Sequence, residues 1–142
     1  AKSLQVMDDD VAAAVAGDRV GLALRNAKEE HLGSGTLLVR PAIEDKKTNT
    51  SIPLAVISHN QSTMKLNRSL FQKRVLVEGD VVHASVDLQF VVGRVGAVNG
   101  DEMEVVWDSP LFIRRENPEA TLIAQLDSKP RIMGNAILTL SK

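Results

Sequence analysis

The sequence predicts an all-β protein, a barrel or a sandwich, on three observations. Short runs rich in Val, Ile and Leu follow one another along the chain, separated by Gly, Pro, Asn and Asp. Residues 102–108 show period-two patterning: Met103, Val105 and Trp107 fall on one face, and Glu102, Glu104 and Asp108 on the other. Only one segment, Asp10–Ala16, offers a helix signal, with Asp10 as N-cap and Gly17 as stop, and it is two turns at most.

Taken in order, residues 1–7 read as a strand. Val20–Leu24 is the next, entered from the turn at Gly17-Asp18. Lys28–Leu32 is too short for more than a helical turn. Thr36–Val39 reads as a strand stopped by Pro41, which cannot donate to a ladder. Residues 42–51 are polar, with Glu44-Asp45-Lys46-Lys47-Thr48-Asn49-Thr50, and are expected to be a linker. Ile52–Ile57 resumes the strand pattern. Val91–Val98 and Met103–Trp107 form the strongest local signal, a hairpin around Asn99-Gly100, the preferred pair for a type I′ turn in which both residues take positive φ. Pro110 is expected to end that run, and Trp107 and Phe90 are expected in the core. Thr121–Leu126 and Ile132–Leu140 complete a strand-rich second half.

A chain of 142 residues has room for one domain or two small ones. It has no cysteine, which removes disulfides, thiolate nucleophiles, iron–sulfur clusters and the common zinc sites, and which fits a cytoplasmic protein. No apolar run approaches the roughly 20 residues of a membrane-spanning helix. Val11–Ala16 has the letters of a signal-peptide core, but Asp8-Asp9-Asp10 stand where positive charge belongs. Because residues 1–7 already read as a strand, the sequence is expected to be part of something longer.

The net charge of -1 hides a pattern. Residues 46–77 carry Lys46, Lys47, Lys65, Arg68, Lys73 and Arg74 and no acidic residue, while both flanks are net acidic. A basic block of this kind is what a phosphate-binding face requires.

Catalytic motifs are missing. No Gly-x-x-x-x-Gly-Lys-Ser/Thr phosphate loop and no Gly-x-Ser-x-Gly nucleophile elbow occur. His31, His59 and His83 lack metal-ligand spacing, and Asp8-Asp9-Asp10 lacks the alternation of a calcium loop. No nucleophile–base pair stands out, so the chain is not expected to be an enzyme or to hold a metal or cofactor. Aromatic residues are limited to Phe71, Phe90, Trp107 and Phe112, so any RNA contact is expected to run through phosphates and sugars of a duplex.

Ser3-Leu4-Gln5-Val6-Met7, then Ala16-Gly17-Asp18-Arg19-Val20-Gly21-Leu22-Ala23-Leu24-Arg25, then Ser34-Gly35-Thr36-Leu37-Leu38-Val39-Arg40-Pro41 are together similar to the second half of domain II of the translational GTPase family. Residues 52–142 look like its domain III. Pro130-Arg131-Ile132-Met133-Gly134-Asn135-Ala136-Ile137-Leu138 is similar to its closing strand, with Ala136 in place of the second glycine. Ile57-Ser58-His59 and Val81-Val82-His83 look most like the selenocysteine-specific elongation factor branch. The Asn99-Gly100-Asp101 hairpin is also similar to the gamma subunit of initiation factor two.

The resemblance implies small antiparallel Greek-key β-barrels: residues 1–41 as an incomplete domain II barrel, 42–51 as linker and 52–142 as a domain III barrel. It implies aminoacyl-tRNA and the ribosome as partners. A GTPase domain of the same parent, outside this sequence, would hold GTP and Mg. Gln5 matches the position that faces the terminal adenosine of tRNA, and Arg19 a position lining the aminoacyl pocket, where elongation factor Tu has Asn. Asp8 departs from the aromatic residue often found after the first strand. For the tRNA backbone the basic block supplies Lys65, Arg68, Lys73 and Arg74, with Arg131 beside them. The alternatives are an initiation-factor gamma subunit and a β-barrel scaffold that binds protein without RNA.

Overall fold

The computed structural model describes residues 1–118 and 121–141. Among them there is no α-helix, only one 3-10 turn at Glu29–His31, and the fold is all-β as expected. The chain divides into two compact units, Ala1–Thr36 and Leu37–Lys142.

In the first unit, β1 (Ser3–Val6) lies between β2 (Asp9–Asp10) and β3 (Val20–Ala23). The expected helix over Asp10–Ala16 does not form. Asp10 pairs with Gln5 in the sheet, and the backbone N–H of Val11 donates to the Leu4 carbonyl at 3.0 Å. The seven residues Asp10–Ala16 leave all but Val11 exposed, and so short a segment buries too little to offset the cost of starting a helix. The turn between β1 and β2 holds Met7 and Asp8 at φ 52° and 68°. No residue of this unit is buried.

The second unit opens with a small hairpin, β4 (Ile43–Asp45) and β5 (Thr50–Ile52), within the polar stretch expected as a linker. The Asp45 carboxylate accepts from the Lys47 backbone N–H at 2.8 Å, and Asn49 takes φ 53°, so side-chain turn chemistry holds this segment. Thr36–Val39, expected as a strand, forms none. It lacks a partner, and a strand without a ladder has no backbone hydrogen bonds to keep it extended.

The remaining six strands close into a barrel: β6 (Val56–Arg68), β7 (Val81–Val86), β8 (Gln89–Asn99), β9 (Glu102–Arg114), β10 (Thr121–Ala124) and β11 (Ile132–Leu140), in the order β10-β11-β6-β9-β8-β7. All neighbours are antiparallel, and the run β6-β9-β8-β7 is a Greek key. Inward rows such as Val82, Ala84 and Val86 or Met103, Val105 and Trp107 fill the interior. Trp107 lies there as expected. Phe90 does not: it is 57% exposed on the outer wall, because its register opposite Ser85 puts it out of phase with Val91.

Two local expectations are corrected by the register and the backbone. Asn99 pairs with Glu102, so the β8–β9 loop is Gly100-Asp101. Only Gly100, at φ 63°, is left-handed there, the pattern of a type II′ rather than a type I′ turn. Pro110 does not end β9. Opposite it, His59 pairs with Leu111 and Gln61 with Val106, so Pro110 sits in a bulge where no ladder N–H is asked of it. At Gly134 the β11 and β6 backbones approach closely, since a Cβ there would meet the Asn67 carbonyl of β6.

Candidate nucleic-acid interface

Register fixes what gathers at one end of the barrel. Lys65 of β6 and Asn99 of β8 both face Glu102, the first residue of β9, and Arg68 faces Gly134 of β11. The same end holds the finish of β10, where Ala124 faces Ile132, and the start of β7. Since β6 and β7 stand three places apart in a ring of six strands, the segment 69–80 runs across this end of the barrel. Leu76, 2% exposed, plugs it from above.

That crossing segment is held at several points. The Ser69 N–H donates to the Met133 carbonyl at 2.8 Å. Gln72, 5% exposed, donates through Nε2 to the Pro130 carbonyl at 2.7 Å and accepts the Arg74 N–H at 2.9 Å. The side chains between these anchors are pushed outward. Leu70 and Phe71 are 98% and 83% exposed, and Lys73 stands in water.

All five expected backbone-contacting cations lie at or beside this end. Arg68 lines a hollow of about 260 Å³ with Val75, Leu76, Gly100 and Asp101. Lys73 is in the crossing segment, and Arg131 precedes β11, its carbonyl accepting from Gln125. Arg74 is there too, but its guanidinium lies 3.6 Å from Asp80 and 3.8 Å from Asp127, so its charge is largely answered within the protein. Lys65 is on the outer wall of β6, opposite Glu102 and Ile137, with parity opposite to that of the inward Met64 and Leu66. Among the described residues, no carboxylate is within ion-pair distance of Lys65, Arg68, Lys73 or Arg131. Lys129, which the sequence did not single out, joins this end through the β10–β11 turn.

Gln5 and Arg19 belong to the first unit. Gln5 faces Gly21 across the β1–β3 pair, and its Nε2 donates to Asp10 Oδ1 at 2.8 Å. Arg19 is exposed at the entry to β3, two residues before Gly21.

The structure also assembles a pair that the sequence did not reveal. His59 Nδ1 lies 2.7 Å from Ser62 Oγ, which accepts the Trp107 indole N–H at 2.8 Å. Residues three apart on a regular strand point to opposite faces. The bulge between His59 and Gln61 turns both inward, so spacing alone conceals the pair. Ser62 Oγ accepts from the indole and has both a proton and a second lone pair left for His59 Nδ1, so the imidazole tautomer sets the direction of that bond. Burial holds the imidazole below its ordinary pKa of 6.5. Ser62 is 0% exposed, so no substrate reaches its Oγ, and the trio is a hydrogen-bond junction of the core. His59 also borders a hollow of about 350 Å³ at the opposite barrel end, lined mainly by Ile57, Ile113, Pro118, Leu138 and Leu140.

Among the described residues no group of three or more His, Cys, Asp or Glu is placed to hold a metal ion, and no helix is long and apolar enough to cross a membrane. No protein-family description matches the chain, and no curated protein matches it.

Proposed function

We propose that the chain is the tRNA-binding part of a specialised translation elongation factor related to the selenocysteine-specific branch, with the barrel carrying the RNA-binding surface. The observation that supports this most is a set of cations at one barrel end that carboxylates of the same end leave unpaired. Arg68, Lys73 and Arg131 project there without carboxylate partners, from a crossing segment and turn fixed by Gln72 and Ser69. Cations on a rigid frame neutralise phosphates at little ordering cost and read a duplex by shape, which suits the stem of a folded RNA. Lys65 extends the surface along the outer wall of β6. Arg74 contributes little charge but sets the crossing segment against Asp80 and Asp127.

In this reading Gln5 and Arg19 meet the aminoacylated 3′ end, GTP and Mg belong to a GTPase domain of the parent, the ribosome is the further partner and the compartment is the cytoplasm. Arginine at position 19 suits a cargo with an anionic or strongly polar side chain. The test is a mobility shift with charged and uncharged tRNA over a salt series. Binding that weakens steeply with salt is expected, and absent or salt-independent binding favours a scaffold that binds protein instead.

A further inference from the structure

Leu70 and Phe71 are consecutive in the crossing segment, and they are 98% and 83% exposed. Apolar side chains scattered singly over a surface are ordinary, but a neighbouring pair with almost no protein contact is not. Core packing does not account for the pair, since Leu76 of the same segment already plugs the barrel.

The backbone beneath the pair is fixed. The Gln72 N–H donates to the Ser69 carbonyl at 3.0 Å, and the Phe71 N–H donates to Ser69 Oγ at 3.3 Å, which closes a tight turn. The Ser69 N–H is bound to the Met133 carbonyl, and Gln72 Nε2 reaches the Pro130 and Ile132 carbonyls at 2.7 and 3.3 Å. The turn is therefore clamped to the entry of β11 while its two tip side chains project into water.

The same clamps set what surrounds the tip. Arg68 and Lys73 are within three residues of Phe71, so their Cα atoms are at most about 11 Å from its own. Arg131 lies between the two carbonyls that Gln72 grips, and Lys129 adjoins the first of them. The carboxylates of this end are placed otherwise. Asp80 and Asp127 face Arg74, and Asp101 lines the hollow beside Arg68. Among the described residues, none is within ion-pair distance of Arg68, Lys73, Lys129 or Arg131.

The number and shape of the apolar groups narrow the partner. Among the described residues, Phe71 is the only exposed aromatic ring at this end: Phe90 and Phe112 lie near the start of β8 and the finish of β9, at the opposite end, and Trp107 is buried. Proteins that follow a single strand stack successive bases on several rings, so one ring serves one base. A continuous A-form duplex has no open base face to offer, because its major groove is too deep and narrow to enter and its minor groove presents only hydroxyls and base edges. A flat apolar face with negative charge on either side is the chemistry of an unpaired base between its phosphates.

We infer that Phe71 is a stacking platform for one unpaired base adjoining an RNA stem. Leu70 packs beside it against the neighbouring ribose, and Arg68, Lys73 and Arg131 take the flanking phosphates. This platform rests on the RNA-binding reading above and narrows it to stems that are interrupted or end at the barrel. It adds a base contact to the phosphate and sugar contacts expected from the sequence.

The test compares two RNA duplexes with identical ends, one fully paired and one with a single unpaired adenosine in mid-stem, by fluorescence anisotropy with the full chain. The bulged duplex is expected to bind at least about five-fold more tightly, the effect of one base–aromatic stack. Phe71→Ala should abolish that preference and leave the affinity for the paired duplex unchanged. Because the ring is exposed, the urea unfolding transition should stay where it is. Phe71→Trp should keep the preference, and Phe71→Leu, apolar but without a π face, should lose it. Equal affinity for the two duplexes, no binding of either, or a preference that survives Phe71→Leu overturns the inference. If tRNA still binds with a steep salt dependence, the RNA-binding reading stands without the platform. If tRNA fails as well, both fall, and the exposed pair is left to an apolar pocket on a protein.

Discussion

In Ala1–Thr36, Leu4 and Val6 alternate with polar residues along β1, yet no residue of the unit is buried. In the barrel of the second unit the same alternation buries Met64, Val82, Val95, Val105, Leu111 and Ile123 to 1% exposure or less. The difference lies in closure rather than in composition. Alternation assigns each side chain to a face, but a face becomes an interior only when the sheet meets itself or another layer. Three strands ending on β2 and β3 have no opposite wall, whereas six strands in a ring supply one for every inward residue.

The largest effect that can break this comparison is at Gly134. A Cβ at this position meets the Asn67 carbonyl across the β11–β6 seam, where neither backbone can give way without opening the ring. Gly134→Ala is expected to cost at least about 3 kcal/mol in urea unfolding, among the severe single substitutions. A loss under about 1 kcal/mol would show that closure does not depend on this contact.

The buried junction gives the next effect, through pH. The unfolded chain protonates His59 below its ordinary 6.5, while burial keeps the folded imidazole neutral to lower pH. In that window the unfolded state binds more protons, so stability falls as pH falls. The expected contribution is zero well above 6.5 and at most about 1.4 kcal/mol per pH unit below it. His59→Gln should flatten this slope, measured by urea unfolding between pH 7.5 and 5. A slope unchanged by the substitution would move the pH sensitivity elsewhere.

A smaller effect concerns turns. The β7–β8 turn holds Asp87 and Leu88 at φ 47° and 64°, and Leu88 is 92% exposed. Asp87 has a reason to stay, since both its oxygens accept from Arg114 at 2.8 Å. Leu88 has none, and left-handed backbone costs a residue with a Cβ about 1–2 kcal/mol. Leu88→Gly is therefore expected to raise barrel stability by about 1 kcal/mol in thermal or urea unfolding. The parallel change Met7→Gly, in a turn of the same backbone type, should leave the barrel transition where it is.

These turns also show where the sequence stops being legible. The all-β class, the β8–β9 hairpin and the inward row Met103, Val105 and Trp107 can be read from alternation and turn residues. The Asp87-Leu88 and Met7-Asp8 turns cannot, because neither contains glycine and tertiary pairing imposes their positive φ. The bulge that carries β9 past Pro110 and brings His59 to Ser62 is equally silent, since it depends on which strand lies opposite. At the candidate interface, charge composition singled out Lys65, Arg68, Lys73 and Arg74, with Arg131 added from outside the basic block. The neutralisation of Arg74 by Asp80 and Asp127, and the placing of Lys129 beside them, follow from the barrel's connections.

The most direct measurement compares the salt dependence of aminoacyl-tRNA binding for three forms of the full chain: unsubstituted, Arg68→Ala/Lys73→Ala, and Arg19→Asn. If the barrel end carries the RNA backbone, each removed contact lowers the magnitude of the log–log salt slope by about 0.9 on a duplex. The double variant should therefore lose affinity equally across tRNA species. Arg19→Asn should keep the slope and change the preference among amino acids. An unchanged slope in the double variant would contradict a phosphate-binding role for this end of the barrel.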